Sequence, residues 1–177
     1  GKYLFIQELY QEALQDKRNY KKQILGSKDS FGKIFDITRK LDIVQPQELF
    51  IETMHIMEEV LENESFAFYS LSQKNGYGRL EATSPKAQGM YKASIKLSAY
   101  TLAMETLEKG QVWANREFVS GYPMYMAGIH RDGELVMLIC IQEAGNEQLT
   151  LYYMNLFQIL CGLVETSLLR AIEYQEA

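Results

Sequence analysis

The apolar residues of this chain change their period twice, and that change limits the folds open to it. Over residues 45–63, Leu49, Phe50, Thr53, Met54, Met57, Val60 and Leu61 recur at three and four, as on an amphipathic helix, with Pro46 in a first turn that tolerates it. After Asn63, Phe66, Phe68 and Ser70 alternate with Ala67, Tyr69 and Leu71, the two-residue period of a strand. From about residue 147 to 173 helical spacing returns in Leu149, Tyr152, Tyr153, Leu156, Phe157, Leu160, Val164, Leu168, Leu169 and Ile172.

Turn chemistry divides the stretch between these helices. Lys74-Asn75-Gly76-Tyr77-Gly78 reads as a hairpin turn into a second strand over 79–83. A third alternating stretch, 91–97, runs into a short helix over 98–108 that Lys109-Gly110 closes. A strand over 111–114 follows. Two apolar runs, 124–129 and 135–141, are then joined by His130-Arg131-Asp132-Gly133, and Asp-Gly between apolar runs is a strong hairpin signal. Six strands with helices gathered at both ends predict an α+β sandwich.

Ahead of this body, residues 2–25 contain no Pro or Gly and are rich in good helix formers. Ile6, Tyr10, Ala13, Tyr20 and Ile24 fall on a heptad seam with Lys17 at its polar position, the spacing of a helix that pairs with another helix. The same frame runs on through Phe31, Ile34, Thr38 and Leu41. Between the two stretches, Gly26-Ser27-Lys28-Asp29-Ser30 combines a helix-ending Gly with capping residues. The expected organisation is a stalk helix over 1–28 and a second unit over 29–177, with a parallel homodimer through the stalk. The alternative is that the stripe packs on its own domain, because short heptad runs are ambiguous.

Charge separates the arm from the body. Residues 1–42 hold nine Lys/Arg against six acids, and the remainder holds nine against seventeen, within a total of −5. A basic arm can lie against anionic lipid headgroups, although charge at this density is first a solvated helix face. The acidic body and the lack of any RNP, zinc-finger or helix-turn-helix pattern argue against nucleic acid as a partner. No run approaches the ~20 apolar residues of a membrane span, and no signal peptide is visible. Cys140 and Cys161 lie inside apolar runs with no metal-like spacing, as buried thiols of a reducing compartment do. The expectation is a cytoplasmic chain without cofactor or metal, tethered to a membrane only through a preceding segment. Gly1 in place of Met is what an excised piece of something longer would show.

Residues suited to catalysis are scarce. There are two His and two Cys, and neither HExxH, GxSxG nor a P-loop occurs. Glu58-Glu59 and Glu62-Glu64 read as solvated charge, so no enzymatic activity is expected.

The order of elements resembles that of GAF domains, small-molecule sensing and dimerisation units with a six-stranded antiparallel sheet flanked by helices. The resemblance covers about residues 45–175. It rests on the short helix and Gly followed by Gln111-Val112-Trp113-Ala114-Asn115, on Ile129-His130-Arg131-Asp132-Gly133-Glu134-Leu135-Val136-Met137-Leu138, and on the closing amphipathic helix. Met137 departs from it, standing where the family often has Gly. The stretch SKDSFGKIFDITRKL over 27–41, joined to this body and to Leu168-Leu169-Arg170-Ala171, is similar to the GAF portion of PelD-type regulators of bacterial exopolysaccharide synthesis. That resemblance implies a regulatory signalling module. It also implies partner proteins in a polysaccharide secretion complex, a nearby membrane, and cyclic di-GMP bound by a neighbouring domain outside this chain. Two other roles stand beside it: a sensor of a nucleotide or metabolite, and a docking platform in a secretion complex.

A ligand pocket of this fold would lie between the sheet and the segments around the third strand and the short helix. Tyr91, Trp113, Arg116, Tyr125 and His130 are its candidate lining, because rings and a fixed cation suit a planar or anionic ligand. Trp113 is read first as core, as large aromatics usually are. His130, beside the Asp132-Gly133 turn, is expected to be solvent-exposed, and His55 to lie on a helix surface. One RxxD, Arg39-Lys40-Leu41-Asp42, ends a helix, where Arg also favours the dipole. Methionine sulfoxide reduction, known among free-standing GAF domains, needs thiols close together. Cys140 and Cys161 could meet only if the last helix packs over that strand.

Overall fold

A computed structural model of the chain describes residues 46–176, with side chains from 48 to 171. Helix α1 (Pro46–Leu61) leads into strands β1 (Phe66–Ser72) and β2 (Tyr77–Thr83). Then come β3 (Ser94–Lys96), helix α2 (Thr101–Glu108), β4 (Trp113–Ala114), β5 (Tyr125–Arg131), β6 (Glu134–Ile141) and the long helix α3 (Leu151–Glu176). The six strands form one sheet in the order β3-β2-β1-β6-β5-β4, every neighbouring pair antiparallel. The expected α+β architecture, a six-stranded antiparallel sheet flanked by helices, is the one the chain adopts. The stalk, its seam residues, the 28/29 boundary and the Arg39–Asp42 motif lie outside the described residues.

Strand alternation sorts the side chains into two cores, because successive residues point to opposite faces. Phe66 and Phe68 of β1, Tyr125, Ala127 and Ile129 of β5, and Met137, Ile139 and Ile141 of β6 face α1 and α3. Against them pack Leu49, Met54, Met57 and Leu61 of α1 and Tyr153, Phe157, Leu160, Val164 and Leu168 of α3. The intervening residues, Ala67, Tyr69, Met126, Leu138 and Cys140, face Ala103 and Leu107 of α2. β6 is buried on both faces, which is why it reads as an unbroken apolar run.

The turn between β5 and β6 is two residues long. Asp132 and Gly133 have φ of +52° and +80°, the left-handed pair whose twist matches a hairpin and which Asp-Gly tolerates. Arg131 pairs with Glu134, so His130 and Arg131 belong to β5 rather than to the turn. β3 is shorter than the sequence pattern suggests. It pairs only with Tyr77, Gly78 and Arg79, and ahead of it Tyr91 sends its hydroxyl 2.6 Å to the Ser65 carbonyl. α3 begins at Leu151 rather than near residue 147, because Asn146–Gln148 forms a tight turn held by Gln148.

Candidate functional site

The face carrying α2 is the side on which a ligand pocket was expected, and the chain's own rings fill it. Tyr69 stands edge-on to Tyr91 at 6.2 Å, Tyr100 edge-on to Tyr122 at 5.2 Å, and Trp113 lies 5.1 Å from Tyr122. These rings pack over Met126, Leu138 and Cys140. Their hydroxyls are used internally as well: Tyr69 donates to the Lys92 carbonyl at 2.6 Å, and the Tyr122 oxygen accepts the Leu102 N–H at 3.2 Å.

The five candidate residues therefore separate. Tyr91 and Trp113 border the α2-side core. Tyr125 is fully buried on the opposite face, its hydroxyl 2.7 Å from the Gln148 carbonyl. Trp113 and Arg116 come together at the sheet margin, in a cleft of about 540 Å³ between the end of α2, β4 and the first half of α3. Trp113 is half-buried rather than fully core, since the two-residue β4 leaves one side of the indole to this cleft.

His130 is not the solvent-exposed residue beside the turn that was expected. It lies in β5, its side chain 20% exposed, with Nδ1 3.9 Å from Glu165 of α3. The same carboxylate accepts the His130 backbone N–H at 2.9 Å, closing the margin of β5 beyond β4. A cavity of about 200 Å³ lies here, lined by His130, Glu165, Cys161 and Gly128 among others. Gly128 at its border lets Leu135 pack against the strand, since a Cβ there would stand 2.2 Å from Leu135 Cδ1. His55 is on the exposed face of α1, and among the described residues no three His, Cys, Asp or Glu side chains gather as a metal site.

A polar knot that the sequence pattern gave no hint of ties the end of α1 to the start of β1, the end of β6 and the approach to α3. Asn63 Nδ2 donates to the Glu143 carbonyl at 2.7 Å and to Gln148 Oε1 at 3.1 Å. Ser65 donates to Asn63 Oδ1 through both N–H and hydroxyl. Gln148 Nε2 donates to the Leu61 and Glu62 carbonyls at 3.1 and 2.7 Å, while its Oε1 accepts the Gly145 N–H at 3.0 Å. A cleft of about 490 Å³ adjoins the knot, but its polar groups are already committed to one another, and Lys86 is paired with Glu64 at 2.9 Å.

The two thiols sit on opposite faces of the sheet, Cys140 in the α2-side core and Cys161 under α3. α3 does pack on the sheet, yet on the face from which Cys140 points away. Burial pushes the Cys161 thiol up and raises that of Cys140 to about 12. A thiol reagent should therefore leave both unmodified in the native protein and label both in denaturant. Prompt native labelling of either would contradict the burial. The folded chain keeps the Cys140 proton after an unfolded chain has lost it. Its contribution is thus full below the ordinary thiol value of about 8.5 and falls as pH rises toward 12.

With sheet order, helix placement and two-sided core in view, the chain has the fold of GAF domains. The GAF domain of an Acinetobacter phosphoenolpyruvate-protein phosphotransferase superposes with a TM-score of 0.63 at 11% identity, over 85% of this chain and 99% of that one. A PelD fragment from Pseudomonas aeruginosa PAO1 gives 0.58 at 13% identity, over 77% of this chain and 48% of that one. The free methionine-R-sulfoxide reductase of Neisseria meningitidis gives 0.52 at 12%, over 78% and 87%. At such identities the likeness is one of fold. No family model matches the sequence, and no curated protein matches it. No described helix is long and apolar enough to cross a membrane.

Proposed function

We propose that this chain is a regulatory dimerisation module of the PelD type, a cytoplasmic unit near a membrane that relays a change of state between the segments flanking it. The observation that carries this reading is the pairing of α1 with α3 over one core, with the polar knot joining the end of one to the approach of the other. A displacement of the arm before α1 would then reach α3 through packed side chains rather than through a loop. The self-filled α2 face agrees with a role that needs no ligand there. The stalk seam, Ile6, Tyr10, Ala13, Lys17, Tyr20 and Ile24, would hold the twin chain, with Lys17 keeping the pairing weak enough to shift. Cyclic di-GMP would be read by a neighbouring domain, and the proteins of a polysaccharide secretion complex would be the partners.

Sedimentation tests this directly. The full chain should run as a dimer at tens of micromolar, and Ile24→Asp should run as a monomer that loses stalk helicity but keeps the cooperative unfolding transition of the body. A chain starting at Asp29 should behave as the variant does. A monomeric full chain, or a variant that stays dimeric, would move the stripe onto its own domain and remove the stalk from the mechanism.

A further inference from the structure

We propose that the cleft between the end of α2, strand β4 and the first half of α3 binds a small planar carboxylate, its ring against Trp113 and its charge met by Arg116. The proposal stands apart from the dimerisation reading, which could fail without affecting it.

The cleft offers about 540 Å³, within the range of small-molecule sites. Val112, Ala114 and Met154 give it an apolar floor beside the indole. Thr106, Gln111, Asn155 and Gln158 supply polar groups around that floor. Arg116 is its one charged lining residue. Among the described residues, the Arg116 side chain is exposed and makes no ion pair. The contrast with the cleft beside the polar knot is what selects this one, since there Lys86 is spent on Glu64. In a chain of net charge −5, an uncommitted guanidinium with no acid lining its cleft is a local exception to a field that repels anions. Guanidinium and carboxylate are both planar and meet through two parallel hydrogen bonds, and an adjoining aromatic face favours a planar ligand over a branched one.

A second group points the same way. The 200 Å³ cavity shares Gln111, Val112 and Gln158 with the cleft, and His130 lines it. His130 Nε2 is buried with no hydrogen-bond partner among the described residues.

The sequence holds one tryptophan, so the indole N–H resonance of Trp113 reports on this cleft alone. Titration of benzoate and 2-naphthoate into the isotope-labelled full chain should shift that resonance to saturation, whereas benzamide and 2-naphthamide should leave it nearly in place. Arg116→Gln, at an exposed position, should keep the rest of the spectrum and weaken carboxylate binding by ~10-fold or more, the worth of a lost charge-assisted hydrogen bond. Three results would each overturn the proposal: no saturable shift with either acid, equal binding of acids and amides, or undiminished binding to Arg116→Gln.

Discussion

Replacing Gln148 by leucine should lower the unfolding free energy by about 3 kcal/mol, although leucine is more apolar and close in size. The side chain is 8% exposed and makes four hydrogen bonds: two donated to the Leu61 and Glu62 carbonyls and two accepted from Asn63 and Gly145. Leucine can make none of them. The Leu61 carbonyl keeps the Tyr153 hydroxyl at 3.0 Å, and Asn63 Nδ2 keeps the Glu143 carbonyl. The Glu62 carbonyl and the Gly145 N–H lose the Gln148 side chain at a partly buried margin, which puts each near the low end of the roughly 1–3 kcal/mol that stranding a polar group costs, and the lost bonds at the Leu61 carbonyl and Asn63 add the rest. Urea denaturation gives the number, and a loss below ~0.5 kcal/mol would mean that water replaces the knot at no cost. Because Asn63 and Gln148 share a bond, Asn63→Ala combined with Gln148→Leu should cost less than the two single changes together, by ~1 kcal/mol. Strict additivity would show that the two side chains act separately, and the proposed link from α1 to α3 would lose its polar half.

The contrast between what the sequence disclosed and what it hid has a physical pattern. Period is a property of neighbouring residues, so the strands around Phe66–Ser72 and Glu134–Ile141, the helix from Pro46 and the Asp132-Gly133 turn were all legible. The α+β fold follows from them. The contacts of Gln148 are not local: its partners lie 85 to 87 residues away, apart from Gly145, and nothing in a polar residue near a helix start announces them. The five candidate pocket residues do not line one cleft for a related reason. Tyr125 and Trp113 are both aromatic and both on neighbouring strands, but Trp113 pairs with Met126 while Tyr125 pairs with Ala114, which sends the two rings to opposite faces. That one-residue offset depends on the register of β4 against β5, which no single-chain pattern reveals. His130 reads as an exposed residue beside the turn because four polar or small residues separate two apolar runs. Glu165, 35 residues further on, accepts its N–H and extends the strand.

Phe157→Ala should be the most damaging single change among the core positions of α3, lowering stability by about 4 kcal/mol, as large-to-small changes at fully buried aromatics do. Phe157 has no exposed surface and lies 6.3 Å, ring to ring, from both Phe66 of β1 and Tyr125 of β5, so it joins the helix to two strands at once. Alanine leaves a void bordered by the Tyr125 ring, whose hydroxyl is bonded to the Gln148 carbonyl. That ring cannot slide in to fill the space without losing its bond, which places the cost toward the upper part of the usual range. Phe157→Leu, which keeps most of the volume, should lose only about 1–1.5 kcal/mol. Thermal unfolding of the alanine variant should still show one transition, lowered by about 10 °C, because α1 and α3 share the core and neither can melt alone. Two transitions, with helix content lost before the tyrosine signal of the sheet, would mean that α3 is held only loosely. The α1–α3 pairing on which the relay between flanking segments rests would then be too weak to transmit a displacement.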